Sequence, residues 1–515
     1  MIGTVTFNGT MRNLFALVLL LSAFVVRHSS FAVEPPRPNI LLILADDLGW
    51  GDVGCYNPQS KIPTPHLDRL ASQGLRFTDA HSSSGVCVPS RFSLMTGLHA
   101  LRMKGKGHPE PEYRHYGGNQ STLPLIPADA PTLPGILARA GYATAMVGKW
   151  HLGCDDLLRK PDEPLRGGPV DRGFQRYFGI PSSLDIGPYV FIEGNRIVAQ
   201  AAEKMPAHGS PGWPRDFMGE FWREDVAASG YRHADVLPTL TRRAERDLRE
   251  LAAGAKERPF FLYYAMPSPH SPLLPSEEFR GRTKLGAFGS YGDYVAQTDD
   301  NIGRLLRVLD ETGAAANTLV LVSSDNGPLW YPQNVEATGH SASGPWRGMK
   351  GDAWEGGHRM PLIARWPGHV PVNATSEALV SLTDLLATVA GLLGMPDIAS
   401  DGVDFSAALL GKPWQRPTDR PLIAASSLGA ITMRSGQWKF INRLGSGGFS
   451  DPKTEQPKPE GTTAQLYDLA ADPGETNNLA HNEAERIASY QRQVETLLKS
   501  YPPNRQRTKG SRAAE

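Results

Sequence analysis

The sequence predicts an α/β fold, with a large, doubly wound, mostly parallel sheet flanked by helices and a smaller C-terminal antiparallel α+β subdomain. One observation is a set of four continuous apolar runs, at residues 39–44, 142–147, 259–266 and 318–323, typical of strands buried on both faces. Helical patterns alternate with these runs, which favours parallel strands joined by crossover helices. After about residue 415 the runs become shorter and their connections tighter, which predicts the antiparallel part.

Two stretches have the apolar spacing of amphipathic helices. They contain Ile302, Leu305, Leu306 and Leu309, and Leu382, Leu385, Leu386, Val389 and Leu393. In the C-terminal part we expect short strands at 421–425, 430–433 and 437–441, then a polar segment at 450–463, the segment 465–469 and a polar helix at about 482–498. The predicted organisation is therefore a main domain over 33–414, a subdomain over 415–500 and a disordered tail over 501–515.

The first 32 residues have the pattern of a signal peptide. Arg12 precedes an uncharged apolar run at 14–26, and Ser30-Phe31-Ala32 gives a small-x-small cleavage pattern. The run is short for a bilayer span, so a membrane anchor and a buried strand are the weaker alternatives. Met11 is as suitable a start as Met1. We therefore expect an exported protein, periplasmic or secreted, with no membrane span after cleavage.

The composition excludes some classes of partner. The chain has 53 Lys+Arg and 53 Asp+Glu, so its formal net charge is zero and it has no general attraction for nucleic acid or anionic membranes. Hydrophobic residues make up 40% and charged residues 21%, as in ordinary globular proteins. With 53 Gly and 43 Pro, much of the chain is expected in loops. Any anionic ligand must be bound by cations placed locally.

Each of the four predicted strands ends in residues that bind metals or anions. These are Asp46 and Asp47, Lys149 and His151, His270, and Asp325 and Asn326. The carboxyl ends of parallel strands share one edge of the sheet, where ligands bind. Three carboxylates and an amide oxygen suit Ca²⁺ or Mg²⁺ better than zinc. Each pair alone is ordinary turn or cap chemistry, so the repetition at four strand ends carries the prediction.

A cysteine-containing segment at 87–97, CVPSRFSLMTG, is the most informative motif of the sequence. Pro89 fits the first turn of a helix, which places Cys87 at the positive helix N-terminus and Arg91 one turn further on. The alternative is a disulfide cysteine before a short helix. The segment resembles the type I sulfatase family, whose members carry Cα-formylglycine, produced from this cysteine by the formylglycine-generating enzyme while the chain is unfolded.

The resemblance to arylsulfatase A-like members, within the alkaline-phosphatase-like superfamily, extends from about residue 37 to 479. Matching blocks are DDLGWGD at 46–52, GKWHLG at 148–153, PHSP at 269–272, SDNG at 324–327, RGMKG at 347–351, WEGG at 354–357, LYDL at 466–469 and DPGE at 472–475. It implies a catalytic α/β domain over 33–414. It also implies hydrolysis of sulfate esters.

The resemblance assigns roles to individual residues. The implied ligands of Ca²⁺, with Mg²⁺ as the alternative, are Asp46, Asp47, Cys87, Asp325 and Asn326. The implied catalytic residues are Cys87, Arg91, Lys149, His151, His270 and Lys350. The implied substrate-binding residues are Lys149, His270, Lys350 and Ser183. In the family, one hydroxyl of the hydrated aldehyde attacks sulfur, and the other then loses its proton and expels sulfate.

The substrate is expected to be a sulfated carbohydrate or another sulfated small molecule, with aryl sulfates as artificial substrates. Trp213 and Trp222 could stack on sugar rings or simply pack their loops. Two other functions stay open: a phosphonate or phosphodiester hydrolase of the same superfamily, and a secreted carbohydrate-binding protein with an inactive site. Cys55 and Cys154 are expected as a disulfide or as two buried thiols. His81, His99, His108, His115 and His340 receive no role.

Overall fold

Ten strands form the main sheet in the computed structural model. The structure describes residues 1, 3, 37–103, 124–209, 219–395, 398–459 and 461–501, except Asp156, Arg159 and Pro161. The strands are β1 (Asn39–Asp46), β2 (Leu75–Phe77), β3 (Ala80–His81), β4 (Ala143–Lys149), β5 (Arg176–Ile180), β6 (Ile192–Glu193), β7 (Arg196–Ile197), β8 (Ala201–Met205), β9 (His208–Gly209), β10 (Phe221–Trp222), β11 (Asp225–Ala228), β12 (Phe260–Pro269), β13 (Thr318–Ser324), β14 (Leu362–Arg365), β15 (Ala374–Ser376), β16 (Val380–Ser381), β17 (Leu422–Ala425), β18 (Ile431–Ser435), β19 (Trp438–Ile441) and β20 (Gln465–Asp468).

The order across the main sheet is β15-β2-β14-β13-β1-β12-β4-β5-β6-β7. The five central strands, β13, β1, β12, β4 and β5, are mutually parallel. Antiparallel pairs occur only towards the two edges, where β14 pairs with β13 and β2, and β6 pairs with β5 and β7. The four predicted apolar runs became β1, β4, β12 and β13, so the mostly parallel sheet is confirmed.

Helices cover both faces of this sheet. The α-helices are α1 (Pro65–Ser72), α2 (Cys87–Thr96), α3 (Leu133–Arg139), α4 (His233–Ala253), α5 (Gly289–Thr312), α6 (Pro332–Thr338), α7 (Glu355–His358), α8 (Leu385–Leu392), α9 (Ser406–Leu409) and α10 (Ala484–Ser500). All eight residues of β1 are buried, and its alternate side chains enter two different cores. One core includes apolar residues of α2, α3 and α8, and the other includes those of α1, α4 and α5. A strand covered on both faces needs a continuous apolar sequence.

The C-terminal part contains a separate antiparallel sheet of four strands, β17-β18-β19-β20. Helix α10 packs against it through Ile487, Tyr490 and Val494. The ring of Tyr490 stacks on Phe440 of β19, with the ring centroids 5.4 Å apart. The expected elements after residue 415 are therefore present. The chain from Pro38 onward clusters as one compact unit, and the proposed boundary near residue 415 stays a prediction.

Several expectations concern cysteines or the chain ends. Cys55 and Cys154 are not joined by a disulfide, and only Cys154 is fully buried, so the disulfide alternative is wrong. In the part of the chain that the structure describes, no helix is long and apolar enough to cross a bilayer. Apart from residues 1 and 3, the expected signal peptide lies outside the described residues, as do the tail beyond Tyr501, His108, His115 and Trp213.

Candidate active site

The carboxyl ends of the central strands bring the predicted polar residues to one edge of the sheet. In the pairing of β1 with β13, Ala45 lies opposite Ser324, so Asp46 and Asp325 leave the sheet side by side. On the other side of β1, Asp46 lies opposite Pro269, the residue before His270. The next strand, β4, ends at Lys149. Parallel pairing therefore concentrates charged side chains from four strands at this edge.

Local backbone geometry turns some of these side chains into the site. Asp47 and His151 have left-handed backbone conformations, with φ of 66° and 56°. Asp and His adopt this conformation more readily than most residues do. Gly148 has φ of 120°, and a Cβ at this position would lie 1.9 Å from the backbone oxygen of Ala265. Glycine is thus required where β4 passes β12, immediately before Lys149.

Cys87 lies at the first residue of α2, as predicted from Pro89. Its Sγ lies 3.5 Å from Nδ1 of His151. The side chain of Arg91, one turn along α2, is buried and donates from Nε to Asp325 Oδ2 at 2.8 Å. The helix N-terminus and Arg91 both favour negative charge beside Cys87.

Carboxylates and cations alternate throughout the site. Lys149 donates from Nζ to Oδ2 of Asp46, and Lys350 donates from Nζ to Oδ2 of Asp47 at 2.8 Å. Nη2 of Arg91 lies 3.5 Å from Asp46 Oδ2. Three carboxylates, including Asp325, are thus neutralised by three buried cations. Such groups are stable in the interior only because they are paired.

Ser183 connects the lysine side of the site to His270. Lys149 Nζ donates to Ser183 Oγ at 3.2 Å, and that oxygen lies 3.4 Å from Nδ1 of His270. Nε2 of His270 is 3.8 Å from Asp47 Oδ2. Asn326 also contacts Asp47, because its Nδ2 donates to Asp47 Oδ1 at 2.6 Å. The structure therefore brings all eleven predicted site residues together.

The pKa values of the site follow from burial and from these charges. Burial would raise the pKa of Asp46, but Lys149 and the other nearby cations outweigh it and hold that pKa far below its usual range. Burial and the charge of Asp46 raise the pKa of Asp325 to about 7. Burial, together with Lys149, lowers the pKa of His151 well below its usual value, so its imidazole is neutral at pH 7. Burial raises the pKa of the Cys87 thiol, although Lys149 opposes this.

The oxygen atoms of the site fit a divalent cation. Asp46 Oδ1 and Asn326 Oδ1 are buried, and no group of the described residues donates a hydrogen bond to either atom. Ligand atoms of Asp46, Cys87 and Asp325 lie within 4.8 Å of one another, as do those of Asp46, Asp47 and His270. A buried carboxylate oxygen without a partner is costly, and a bound cation would remove that cost. Carboxylate and amide oxygens are the ligands that Ca²⁺ and Mg²⁺ prefer.

A second cluster of potential metal ligands consists of His81, Glu355 and His358. The carboxylate of Glu355 already pairs with Arg359 at 2.6 Å and with Lys439 at 3.0 Å, and Arg434 lies at 3.4 Å. Lys439 also pairs with Glu475 at 2.8 Å. The cluster is a buried ion network between the main sheet and the C-terminal sheet.

Some contributors were missed from the sequence. Asp185 is buried, and burial would raise its pKa, but His270 and Arg223 lower it, which places its charge beside the site. It belongs to the segment after Ser183, and its only signal was that position. His340, which received no role, donates from Nε2 to Asp52 Oδ1 at 2.8 Å and so supports the loop after Asp47.

Trp222 does not offer a free ring face to a sugar. The ring of His208 stacks on it with the centroids 4.3 Å apart, and that of His233 at 4.2 Å. Of the two alternatives stated for this residue, loop packing is therefore the correct one.

Comparison with known proteins gives the same assignment along most of the chain. A family profile described as Sulfatase matches residues 38–395. The N-acetylgalactosamine-6-O-sulfatase of Bacteroides thetaiotaomicron is 33% identical over 512 residues, covering 90% of this chain and 93% of that protein. Human arylsulfatase A is 35% identical over 477 residues, covering 89% of this chain and 86% of that protein.

Solved structures agree with the sequence comparisons. A structure from work on glycosaminoglycan metabolism by Bacteroides thetaiotaomicron superimposes with a TM-score of 0.75 at 30% identity, covering 90% of this chain and 100% of that one. A phosphonate monoester hydrolase of Agrobacterium radiobacter is 20% identical, with a TM-score of 0.57 and coverage of 90% and 96% of the two chains, which shows a shared fold alone. The chain belongs to the sulfatase family and is a sulfuric ester hydrolase.

Proposed function

We propose that this sulfatase hydrolyses sulfate esters of carbohydrates, using formylglycine derived from Cys87 and a bound Ca²⁺ ion. The observation that carries the proposal is the position of Cys87. It lies at a helix N-terminus, 3.5 Å from His151 and within 4.8 Å of carboxylate oxygens of Asp46 and Asp325. A nucleophile formed there lies close to the proposed metal ligands and to the buried cations Arg91, Lys149 and Lys350.

The charges of the site suit an anionic substrate. Arg91, Lys149 and Lys350 neutralise the three carboxylates, so a divalent cation would leave the site with an excess of positive charge. Ca²⁺ would be held by Asp46, Asp47, Asp325 and Asn326, with the group at position 87. When bound, the cation supplies polarisation of a sulfate oxygen. A sulfate ester is an anion and is attracted by this excess.

The cysteine thiol itself is a poor nucleophile in this position, because burial raises its pKa. Formylglycine, once hydrated, supplies a hydroxyl group in place of the thiol. Nδ1 of His151 lies beside Sγ of Cys87, and the buried Nε2 of His151 has no hydrogen-bond partner within the described part of the chain. We assign to His151 the acceptance of a proton from the group at position 87. Arg91 holds Asp325 and the end of β4 in place through its guanidinium group.

His270 and Lys350 would serve the leaving oxygen. Both lie beside Asp47, with His270 Nε2 at 3.8 Å and Lys350 Nζ at 2.8 Å from Asp47 Oδ2. Lys149 and Ser183 lie on the opposite side of His270 and would bind a sulfate oxygen. A cation or N–H donor near the departing alkoxide stabilises the charge that develops there.

The carbohydrate class of the substrate is supported by the relatives. The bacterial relative is named for the 6-O-sulfate of N-acetylgalactosamine, and the structural neighbour comes from work on glycosaminoglycans. The signal-peptide pattern at 1–32 supports an exported, periplasmic or secreted enzyme that meets extracellular glycans. Sulfated N-acetylgalactosamine is therefore the first substrate to test.

The test begins with peptide mass spectrometry of protein made with and without the formylglycine-generating enzyme. We expect the Cys87 peptide to lose about 18 Da on conversion of thiol to aldehyde. The peptides of Cys55 and Cys154 should keep their mass and serve as internal controls. An unmodified Cys87 in active protein would contradict the nucleophile assignment.

The converted protein is then assayed on a panel with Ca²⁺, Mg²⁺ or a chelator. We expect release of sulfate from sulfated N-acetylgalactosamine and from 4-nitrophenyl sulfate, and loss of both activities on chelation. Faster turnover of a phosphonate ester or phosphodiester would make the chain a hydrolase of that class instead. Binding of sulfated sugar without turnover by converted protein would identify an inactive carbohydrate-binding protein.

A further inference from the structure

Lys350 lies in a tight turn whose backbone forms hydrogen bonds with three other parts of the chain. Its N–H donates to the carbonyl of Pro328 at 2.8 Å, and the N–H of Gly351 donates to that of Gly85 at 2.7 Å. The carbonyl of Gly351 accepts from the N–H of Ser427 at 2.8 Å. The turn thus joins the segment after β13, the segment before α2 and the loop after β17.

Hydrogen bonds to the carboxylate of Asp352 connect this turn to the C-terminal region. Asp352 is fully buried. Its Oδ2 accepts from the N–H of Met349 at 2.9 Å, inside the turn, and from the hydroxyl of Ser450. Its Oδ1 accepts from the N–H groups of Phe449 and Ser450 at 2.7 and 3.0 Å. All these donors are neutral, so the carboxylate acts here as a hydrogen-bond acceptor and not as half of an ion pair.

The Lys350 turn and the segment 446–450 approach each other so closely that position 448 requires glycine. A Cβ at Gly448 would lie 2.3 Å from Asp352 Oδ1 and 2.3 Å from the carbonyl carbon of Gly351. The N–H of Ala353 donates to the carbonyl of Ser446 at 2.7 Å, which extends the same contact. Residues 446–450 therefore lie directly against the turn of Lys350.

We propose that Asp352 and residues 446–450 position Lys350, so that the C-terminal region sets the geometry of the sulfate site. The proposal rests on the function proposed above, in which Lys350 serves the leaving oxygen. Asp352 does not itself contact the substrate and acts through Lys350. A displacement of a catalytic group by about 1 Å can lower a rate by about 10²-fold.

The first test is a double-mutant cycle with 4-nitrophenyl sulfate. Asp352→Asn is expected to lower kcat by about 10²-fold with a smaller change in KM, and Ser450→Ala, which removes one bond, by about three- to tenfold. In a Lys350→Ala background, Asp352→Asn should change kcat by less than about twofold, because its partner is already gone. Losses that multiply in the double variant would overturn the positioning role. Asp404→Asn, which alters an exposed turn carboxylate bonded to Ser406 N–H, is the matched control and should leave kcat unchanged.

The second test does not depend on activity. Lys350 is buried, so acetylation followed by peptide mass spectrometry reports its release. We expect acetylation of Lys350 to become at least about fivefold faster in Asp352→Asn and to rise less in Ser450→Ala, while Lys149 stays protected and shows that the fold is intact. Unchanged labelling of Lys350 contradicts the proposal. Faster labelling in a protein without sulfatase activity would leave the positioning intact and reject the proposed function.

A cavity beside the turn provides the competing explanation. Met349 and Ser450 also line a cavity of about 390 Å³, together with Trp330 and Trp346. The cycle is therefore repeated with a sulfated disaccharide. A loss limited to KM for the disaccharide would assign the effect of Asp352 to ligand binding in the cavity and overturn the positioning role. Equal losses in kcat for both substrates support it.

Discussion

Lys439 lies between two buried glutamates, and its replacement by methionine is expected to destabilise the folded protein strongly. Its ammonium group lies 3.0 Å from Glu355 and 2.8 Å from Glu475, and all three side chains are fully buried. Methionine fills a similar volume but leaves both carboxylates without this cation. Removal of one partner of a buried ion pair typically costs about 3–5 kcal/mol. Because Arg359 and Arg434 still lie beside Glu355, we expect a loss near the lower end, about 3 kcal/mol.

The loss of stability in Lys439→Met should depend on pH, because Glu475 can be protonated. Burial raises the pKa of Glu475 to about 7, although Lys439 opposes this effect. Its folded-state pKa is therefore above the unfolded value, and the unpaired carboxylate can be neutralised by protonation below pH 7. We expect Lys439→Met to cost more at pH 8 than at pH 6. Adding Glu475→Gln to this variant should restore part of the stability at pH 8.

The free energy of unfolding is measured by urea denaturation followed by tryptophan fluorescence at both pH values. Lys499→Met is the matched control, because the side chain of Lys499 is 80% exposed and its contact with Glu495 is 3.8 Å long. This control should not change the stability measurably. A loss below about 1 kcal/mol for Lys439→Met, or an equal loss at both pH values, would refute the reasoning.

Three further predictions concern other parts of the chain. Burial raises the pKa of Asp299 to about 7, although the N–H groups of His66 and Leu67 donate to its carboxylate and oppose this shift. Because the folded state favours the neutral acid, the free energy of unfolding should fall as pH rises from about 4 to 7. In Asp299→Asn this part of the pH dependence should disappear from the denaturation midpoints. Ca²⁺ should raise the midpoint temperature of unfolding measured by calorimetry, and a chelator should lower it. Asp47→Asn should reduce the difference between these two midpoints. Ser183→Ala removes one of the hydrogen-bond acceptors of Lys149 and should lower kcat/KM for 4-nitrophenyl sulfate by about three- to tenfold, and an unchanged value would exclude a role of Ser183 in substrate binding.

The main sheet could be predicted from the sequence because its central strands are buried on both faces. In β1 every residue is buried, so the apolar run is continuous and its end is marked by Asp46. The predicted and observed strands differ by only a few residues at their ends. The edge strands β2, β14 and β15 are short and have no comparable pattern. Their positions follow from tertiary contacts that no local sequence signal specifies.

The site was predictable to the extent that its residues directly follow strands or lie in recognisable blocks. Asp325 and Lys149 are examples, since their positions after β13 and within β4 follow from parallel pairing. Asp352 and Lys439 were not predictable in this way. Charged residues usually lie on the surface, and their burial depends on contacts between segments almost a hundred residues apart, as between Asp352 and Phe449.

The contacts of the Lys350 turn also have a consequence for the order of events during synthesis. Gly351 is bonded to Gly85, just before the helix of Cys87, while Asp352 is bonded to residues 449 and 450. A ribosome makes Cys87 long before it makes this C-terminal segment. The surroundings of Cys87 therefore stay incomplete until most of the chain has been translated. That interval would be available for the proposed conversion of Cys87 to formylglycine in an unfolded chain, and early pairing of the segments would shorten it.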